Sequence, residues 1–410
     1  MHPLRKRLHN ELHSRPSIYF DGPAHVYHFV LTDADDAWHT LLLHVDPQAC
    51  SRVDEISPHG FMSFETGTLK WEKHTEFFTM TLVMPYCGEY NRWPELPEAL
   101  GSILAEYQTS IITAIQILVE NESEWAGDVS KYGMTDPAGS NIGGGDATAW
   151  SDFKLCKRDL TRVLLLNRRL NAYRLGRMVR RFLEIETYRM MASLTLPLAQ
   201  SVSVQVALYD KELARLSDRN SDMDSNNAQS LLADISVLSA NIVRTTVHSR
   251  QRFSATEAYS RIVFERIGEL RETHVGDCQR LGVFIERRFR PTVRYCAATD
   301  QRLCSLGQNV ANLGDLLQAR VQVEVEQQNC EILSSLNSRA QAQIKIQKAV
   351  EGLSIIAITY YVLSLVKILY EAMRNVGVYL PVKSATLAAS PLIILIILFV
   401  TRRVISVKKH

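Results

Sequence analysis

The stretch LSIIAITYYVLSLVKILY, Leu353 to Tyr370, and the stretch TLAASPLIILIILFV, Thr386 to Val400, decide the character of this chain. A helix needs about 20 mostly apolar residues to cross a hydrocarbon core of about 30 Å, and somewhat shorter runs still suffice. The first stretch reaches that length with help from Val350 and Met373. Because only a short linker separates the two stretches, they predict a transmembrane hairpin with everything before it on one side of a membrane.

Charges around the two stretches predict the orientation of this hairpin. The linker holds Arg374 and Lys383, whereas the flanks on the other side are richer in basic residues. Cytoplasmic flanks of membrane spans carry an excess of Lys and Arg. We therefore expect a two-span protein of the cell inner membrane with both termini in the cytoplasm and the lipid bilayer as a partner. The basic residues of these flanks are Arg339, Lys345, Lys348, Arg402, Arg403, Lys408 and Lys409.

Composition excludes some function classes. The 410 residues include 46% hydrophobic and 22% charged residues, with a formal net charge of +2. Such a balance gives no basic field for nucleic acid, so we predict no nucleic-acid partner. The 7 cysteines are an odd number without a CxxC pair, which is typical of reduced thiols in the cytosol.

Residues 1–170 predict a cytoplasmic head of mixed α/β character, that is, an α+β fold. Segments rich in β-branched and aromatic residues lie between turn formers and predict strands. A helix is expected over Pro97 to Glu106, and Ile111 to Val119 fits either strand or helix. The polar, Gly-rich segment from Asn121 to Asp146 is predicted as a loop. The expected strands are Ala24 to Leu31, Trp71 to Val83, Ala147 to Lys154 and Thr161 to Asn167.

Residues 171–349 predict a bundle or stalk of long helices, because apolar residues recur there at spacings of three and four. We expect helices over Gln229 to Arg250 and over Ser254 to Arg290, with Pro291 ending the second, and a final helix from Ala297 to Ala349. The hairpin then takes residues 350–404, and a basic cytoplasmic tail takes residues 405–410.

A heptad-like seam runs along the final helix. Its alternating spacing of three and four fits the core of an intramolecular bundle. It fits a coiled coil between copies as well, so a homo-oligomer is the expected assembly. The seam residues are Leu303, Leu306, Val310, Leu313, Leu317 and Val321.

Long segments spread over nearly the whole chain are similar to a bacterial family of membrane-anchored proteins of unknown function. The resemblance implies family membership and a membrane anchor, and it brings no activity with it. The segments are HPLRKRLHNELHSRP (His2 to Pro16), WEKHTEF (Trp71 to Phe77), RFLEIETYRMMASLTLPLAQ (Arg181 to Gln200), RFSATEAYSRIV (Arg252 to Val263) and VEGLSIIAITYYVLSLV (Val350 to Val366).

The predicted architecture resembles the CorA-type magnesium channels in a looser way. A cytoplasmic head, long helices, a hairpin and a basic tail are common to both. Those channels carry Gly-Met-Asn after the first span, whereas this chain reads YEAMRNVG from Tyr370 to Gly377. Arg374 and Lys367 would place positive charge near the mouth, which opposes a cation path.

The segment WEKHTEF holds the candidate ligand, metal or ion-pair site. On one continuous strand, Glu72, His74 and Glu76 would share a face. Imidazole and carboxylate groups suit Zn or Mn, and buried charges otherwise need partners. Arg5 and Arg15 are the predicted partners if the N-terminal segment packs nearby. Both readings, a metal or ligand site and an ion-pair network, stay open from the sequence.

The loop PAGSNIGGGDAT, Pro137 to Thr148, invites comparison with phosphate-binding loops. It lacks the Gly-Lys-Ser/Thr ending of a P-loop, so a flexible turn into the next strand is the preferred interpretation.

The sequence therefore predicts a membrane-anchored, non-enzymatic protein without a cofactor, acting as an oligomeric scaffold or sensor at the inner membrane. A CorA-like ion channel without the usual filter is one alternative. A metal-dependent enzyme that uses the head is the other.

Overall fold

The computed structural model describes residues 1–11, 17–34, 37, 40, 59–65, 67–86, 93–221, 228–375, 377, 387, 390–391 and 393–399. The chain divides into two compact units, Met1–Asp315 and Leu316–His410. The first unit contains a 9-stranded sheet. A mixed sheet followed by long helices confirms the α+β head.

Eight of the nine strands have 5 to 11 residues, and the last has two. Among the described strands, one neighbouring pair is parallel and every other pair is antiparallel. The strands are β1 Ala24–Thr32, β2 His59–Phe64, β3 Gly67–Lys73, β4 Phe77–Pro85, β5 Ile111–Asn121, β6 Ala138–Ile142, β7 Ala147–Ser151, β8 Thr161–Asn167 and β9 Thr273–His274. Their order in the sheet is β2-β3-β4-β1-β5-β8-β7-β6-β9, and β5 and β8 form the parallel pair.

Six helices of the described residues lengthen along the chain, from 7 residues in the first to 95 in the sixth. A short α2 lies before β5, and the long helices begin after β8. Those in the described residues are α1 Arg5–Glu11, α2 Glu98–Glu106, α3 Ala172–Ser193, α4 Thr195–Ser221, α5 Ala228–Glu269 and α6 Leu281–Asn375.

Helices cover both faces of the sheet. On one face, α3, α5 and the first turns of α6 pack against alternating residues of β1 and β5, among them Val26 and Ile117. On the other face, α2 packs through Leu100 and Ile103 against Tyr27. Because β1 lies between the two layers, eight of its nine residues are buried without polar alternation.

Helix α3 carries one wall of the site and has a clear local origin. The side chain of Asn171 accepts a hydrogen bond from the backbone N–H of Arg174 at 3.0 Å, which caps the first turn. Buried Leu175, Met178 and Phe182 then follow at the spacing of one helix face.

Two expectations for the head need correction, and one open alternative is resolved. The predicted strand Trp71 to Val83 is two strands, β3 and β4, with a turn over residues 74–76. The ambiguous run at Ile111 is a strand, β5. The predicted loop from Asn121 to Asp146 contains a short strand, β6, because small residues there pair with β7.

The predicted helix boundaries also need correction. A single helix, α5, replaces the expected break near Arg250, and Pro291 lies inside α6 rather than ending a helix. An internal proline costs about 3 kcal/mol. Ile285 and Phe289 just before it are buried in the head, and their packing offsets that cost.

The heptad-like seam packs within the chain along its first part. Leu303, Leu306 and Val310 are buried, and a Cβ on the neighbouring Gly307 would lie 3.5 Å from Ile242 of α5. This favours the intramolecular bundle for that part of α6.

Two helical stretches of the described chain are long and apolar enough to cross a membrane, Ala172–Ser221 and Leu281–Asn375. The first comprises α3 and α4, whose buried residues belong to the head. The second contains Leu353 to Tyr370. Thr386 and Val400, the bounds of the second apolar stretch, lie outside the described residues, although residues 393–399 within it are helical.

Candidate functional site

A tight turn separates the three residues that the sequence placed on one strand face. Strand β3 ends at Lys73, and the N–H of His74 donates to the carbonyl of Phe77 at 2.8 Å to close the turn. Glu72 lies on β3, whereas His74 and Glu76 lie in the turn. The strict alternation assumed for a single strand therefore does not hold.

Glu72 pairs with a buried lysine of its own strand. Lys70 Nζ lies 2.9 Å from Glu72 Oε1, and Lys70 is only 6% exposed. The two residues are two apart on β3 and so face the same side. Burial lowers the pKa of Lys70, and the nearby Glu72 carboxylate opposes that change.

His28 lies in the same row of the sheet. The register places Lys70 opposite Thr81, and Thr81 opposite His28. The His28 ring contacts Thr81 Oγ1 through Nδ1 at 2.8 Å and Thr187 Oγ1 of α3 through Nε2 at 3.0 Å. Burial lowers the pKa of His28 to about 3, with Lys70 and His74 adding to the effect. His28 is therefore a neutral ring that links two hydroxyl groups at pH 7.

Helix α3 supplies a second pair of charges above this row. Arg180 Nε donates to Glu184 Oε1 at 2.6 Å, and Arg266 of α5 pairs with the other oxygen of Glu184. Arg180 Nη1 also donates to Ser17 Oγ at 3.3 Å.

The segment from Ser17 to Phe20 lies close to α3 because Gly176 makes room for it. A Cβ at Gly176 would lie 2.0 Å from the carbonyl oxygen of Ile18, which is closer than any real contact. Only glycine at this position lets the segment pack against the helix. The segment thus forms the rim of the site.

These groups enclose a small cavity of about 70 Å³ between the sheet and α3. Its walls are partly apolar and partly polar, and a cavity of that size can hold a few water molecules or a polar ligand of a few atoms against the polar side chains. Its polar lining comprises Ser17, His28, Lys70, Glu72, His74, Thr79, Thr81, Arg180, Glu184 and Thr187.

Glu76 belongs to a separate ion-pair network. Its Oε2 accepts from Arg252 Nη1 at 3.0 Å and from the hydroxyl of Tyr259 at 2.8 Å, both on α5. Arg252 also donates to the carbonyl of Met191 at 2.9 Å. Burial and the Glu76 carboxylate raise the pKa of Tyr259. This network fastens the β3–β4 turn to the helical layer.

The remaining predicted residues lie elsewhere. Arg5, on α1, is exposed and its Nη1 contacts Met1 Sδ at 3.3 Å. Arg15 lies outside the described residues. In the part of the chain that the structure describes, no group of three or more His, Cys, Asp or Glu side chains is arranged to hold a metal ion. A metal-dependent enzyme therefore stays a prediction from sequence.

The sequence interpretation missed Lys70, His28, Arg252 and Tyr259. Arg252 and Tyr259 lie on α5, more than 170 residues from Glu76 in the chain, and no local sequence pattern predicts their contacts with it. His28 did carry a signal, since it interrupts an apolar strand.

The fold defines a protein with a mixed-sheet head followed by long helices. Residues 1–407 match the family described as "Protein of unknown function (DUF3422)", so the chain belongs to that family. No curated protein and no solved structure matches the chain. The comparisons therefore show no likeness to CorA-type channels.

Proposed function

We propose that this chain is a membrane-anchored protein whose head, on the cytoplasmic side of the inner membrane, acts as part of an oligomeric scaffold or sensor. The observation that carries the proposal is the exposure of the apolar end of α6. Ile356, Tyr360 and Leu365 are 69%, 68% and 67% exposed. A helix that is apolar on all sides is stable only when something apolar surrounds it.

A bilayer fits that requirement better than a protein core. The apolar residues from Leu353 to Tyr370 point in every direction around the helix, so one docking partner would leave most of them in water. The length of the run matches a hydrocarbon core.

Two further features support a two-span hairpin with both termini in the cytoplasm. Residues 393–399, in the second apolar stretch, are helical. The basic residues before Leu353 and after Val400 outnumber those of the linker, as the orientation rule requires.

Self-association is supported by the part of α6 that precedes the span. Ile332, Leu333 and Leu336 are 57%, 64% and 54% exposed there. A second copy is the fitting partner, because spans in one membrane hold the same residues of two chains at the same height. Helices aligned in this way can bury such residues against each other.

Light scattering coupled to size-exclusion chromatography of the full chain in detergent tests the assembly. We expect an oligomer for the wild type and a smaller mass for the double variant Ile332→Gln, Leu336→Gln. Val247→Gln is the matched control, because Val247 is 72% exposed on α5 of the head and should not affect the mass. A monomeric wild type would remove the oligomeric scaffold.

Ion conduction is a second candidate function, favoured by one feature of the apolar stretch. Ser354, Tyr361 and Ser364 recur at spacings of seven and three, so they share one face of α6. Such faces turned inward in an oligomer would line a polar path, as in the CorA-like plan. Lys367 and Arg374 near its end disfavour cations.

Ion flux into proteoliposomes tests this candidate. A channel predicts flux that Ser354→Leu and Ser364→Leu reduce, with Thr359→Leu on another face as control. Flux that is absent, or that is unchanged by the serine variants, would exclude a path along this face.

A further inference from the structure

We propose that the turn from Gly143 to Asp146 and the arginines around it form a binding site for a phosphate monoester. The turn joins β6 to β7, and Gly143, Gly144 and Gly145 have φ angles of 65°, 82° and 92°. Three successive left-handed residues are possible because glycine has no Cβ. The site does not depend on the membrane anchor or on assembly, so it stands apart from the proposed function.

Three arginines converge on this turn. Arg174 Nη2 lies 2.5 Å from Asp146 Oδ2, and Arg169 Nε lies 3.3 Å from Asp146 Oδ1. Arg271 Nη2 donates to the carbonyl of Gly143 at 3.3 Å. One carboxylate therefore faces three guanidinium groups. The pKa of Asp146 is lowered, first by its hydrogen bond from Arg174.

The charges of the cluster do not balance. Arg169, Arg174 and Arg271 all face one carboxylate, that of Asp146. Three arginines against one carboxylate leave an excess of two positive charges. A phosphate monoester carries nearly two negative charges at pH 7 and matches that excess.

A second arginine cluster in the head provides the contrast. There Arg180 and Arg266 share Glu184, and Arg266 and Arg181 share Glu269, so carboxylates nearly match arginines in number. That cluster fastens α3 to α5 and keeps an excess of one positive charge. The cluster at the turn has the larger excess of the two.

The geometry of the turn leaves room for a ligand. A Cβ on Gly144 or Gly145 would meet nothing within 4 Å, so this side of the turn is open. Arg271 has a φ of 48°, a backbone conformation that residues other than glycine rarely adopt. Arg169 is 74% exposed and free to swing toward an incoming anion.

Arginine is the residue suited to this ligand class. Its planar guanidinium donates two parallel hydrogen bonds to phosphate oxygens, and such charge-assisted bonds are among the strongest in proteins. The N-terminus of α3, which begins at Ala172, adds a partial positive charge beside Arg174.

A phosphate monoester can come from a soluble metabolite or from the headgroup of phosphatidic acid. Calorimetric titration of the full chain in neutral detergent separates the two sources. One arm uses glycerol 3-phosphate, and the other uses dioctanoyl phosphatidic acid with dioctanoyl phosphatidylcholine as blank. Saturable binding in one arm alone names the source, and binding in both identifies the shared headgroup chemistry.

Three variants connect the binding to the turn. Arg169→Gln and Arg271→Gln should each weaken binding about tenfold, the loss expected for one charge-assisted hydrogen bond. Asp146→Asn should tighten binding several-fold, because Asp146 competes with the ligand for the same arginines. Arg261→Gln is the control, since Arg261 is 68% exposed and pairs with Glu257 on α5.

The opposite signs separate binding from folding. Thermal melting of each variant checks that the head remains folded, and the arginine variants carry the test if Asp146→Asn does not fold. Saturable binding with the expected arginine losses supports the proposal. No saturable binding in either arm, or binding that the arginine variants leave unchanged, overturns it.

Discussion

The two parts of helix α6 contrast sharply, although one helix contains both. Near its start, Leu303, Leu306 and Val310 are at most 2% exposed, because the helical layer of the head covers them. Beyond residue 350, Leu353 and Ile356 are 72% and 69% exposed. The same residue types thus have their partners in the chain in one part, and in the other part no described residue covers them.

The contrast distinguishes the part of the chain whose side chains pack against other parts of the same chain from the part whose apolar side chains need an external partner. In the head, the buried charges of Glu186 and Lys70 have partners, since Glu186 pairs with Arg189 at 2.6 Å and Lys70 pairs with Glu72 at 2.9 Å. The apolar end of α6 is completed only by surroundings that supply an apolar medium. Four predictions test this division.

The largest effect is expected where the apolar end is made polar. Placing Asp at Ile356, Leu365 and Leu395 should cost about 9 kcal/mol of membrane insertion, since each charge at a span centre costs about 3 kcal/mol. The fraction of the chain that resists carbonate extraction from membranes measures the loss. Val247→Asp, on the exposed surface of α5, should leave the carbonate-resistant fraction at the wild-type value. A triple variant with the same carbonate-resistant fraction as the wild type would contradict the account.

The next effect concerns the close packing of the head. Gly176→Ala should lower the free energy of unfolding by about 3 kcal/mol, because the new Cβ would clash with the carbonyl oxygen of Ile18. Gly101→Ala is the matched control on α2, where a Cβ meets nothing within 4 Å. The control should gain about 0.5–1 kcal/mol from helix propensity. Denaturant titration compares them, and equal effects would mean that Ile18 does not pack as described.

The third prediction concerns pH. His28 has a pKa of about 3 in the folded chain and 6.5 as a free group, so between these values the unfolded chain binds more protons. The contribution of His28 to the free energy of unfolding is therefore fully present above pH 6.5 and is lost as the pH falls toward 3. From pH 7 to pH 5 the loss is about 2 kcal/mol. Denaturant titrations at both pH values measure it.

A matched pair of variants isolates that contribution. His28→Gln should be less stable at pH 7 but should lose about 2 kcal/mol less than the wild type on going to pH 5. Val247→Gln, on the exposed side of α5, should keep the wild-type pH dependence because it changes no titrating group. An unchanged pH dependence in His28→Gln would mean that this ring is not buried as a neutral group.

The smallest effect separates a partly buried ion pair from an exposed one. Glu76→Ala should cost about 1.5 kcal/mol, because Arg252 and Tyr259 both lose their acceptor. Glu257→Ala should cost less than about 0.5 kcal/mol, since Glu257 is 76% exposed. Equal values from denaturant titration would show that the Glu76 network does not stabilise the head.

Much of the fold could be predicted from local patterns. β1 and β8 were predicted nearly to the residue because their apolar runs lie between turn formers. The turn at residues 74–76 was not, since the segment around it keeps a strand-like composition. The prediction that a helix ends at Pro291 was wrong, because the packing of Phe289 outweighs the local free-energy cost of proline in a helix.

The candidate site was predicted only in part. Glu72 and His74 do line one cavity, but the cavity's other charges, such as Arg180 and Glu184, come from α3. The arginines at the turn, Arg169, Arg174 and Arg271, are likewise distant in sequence from Gly143. Contacts of this kind arise from the packing of layers, which residue periodicity does not specify.

A spin label at position 361 tests the central claim most directly, with the native cysteines replaced and the full chain reconstituted in liposomes. Tyr361 is 67% exposed in the middle of the apolar end of α6. The account predicts that oxygen, which concentrates in hydrocarbon, relaxes this label more than a water-soluble nickel chelate does, and that a label at Val247 shows the reverse. A label at 361 that behaves like the one at 247 would contradict a membrane-spanning α6.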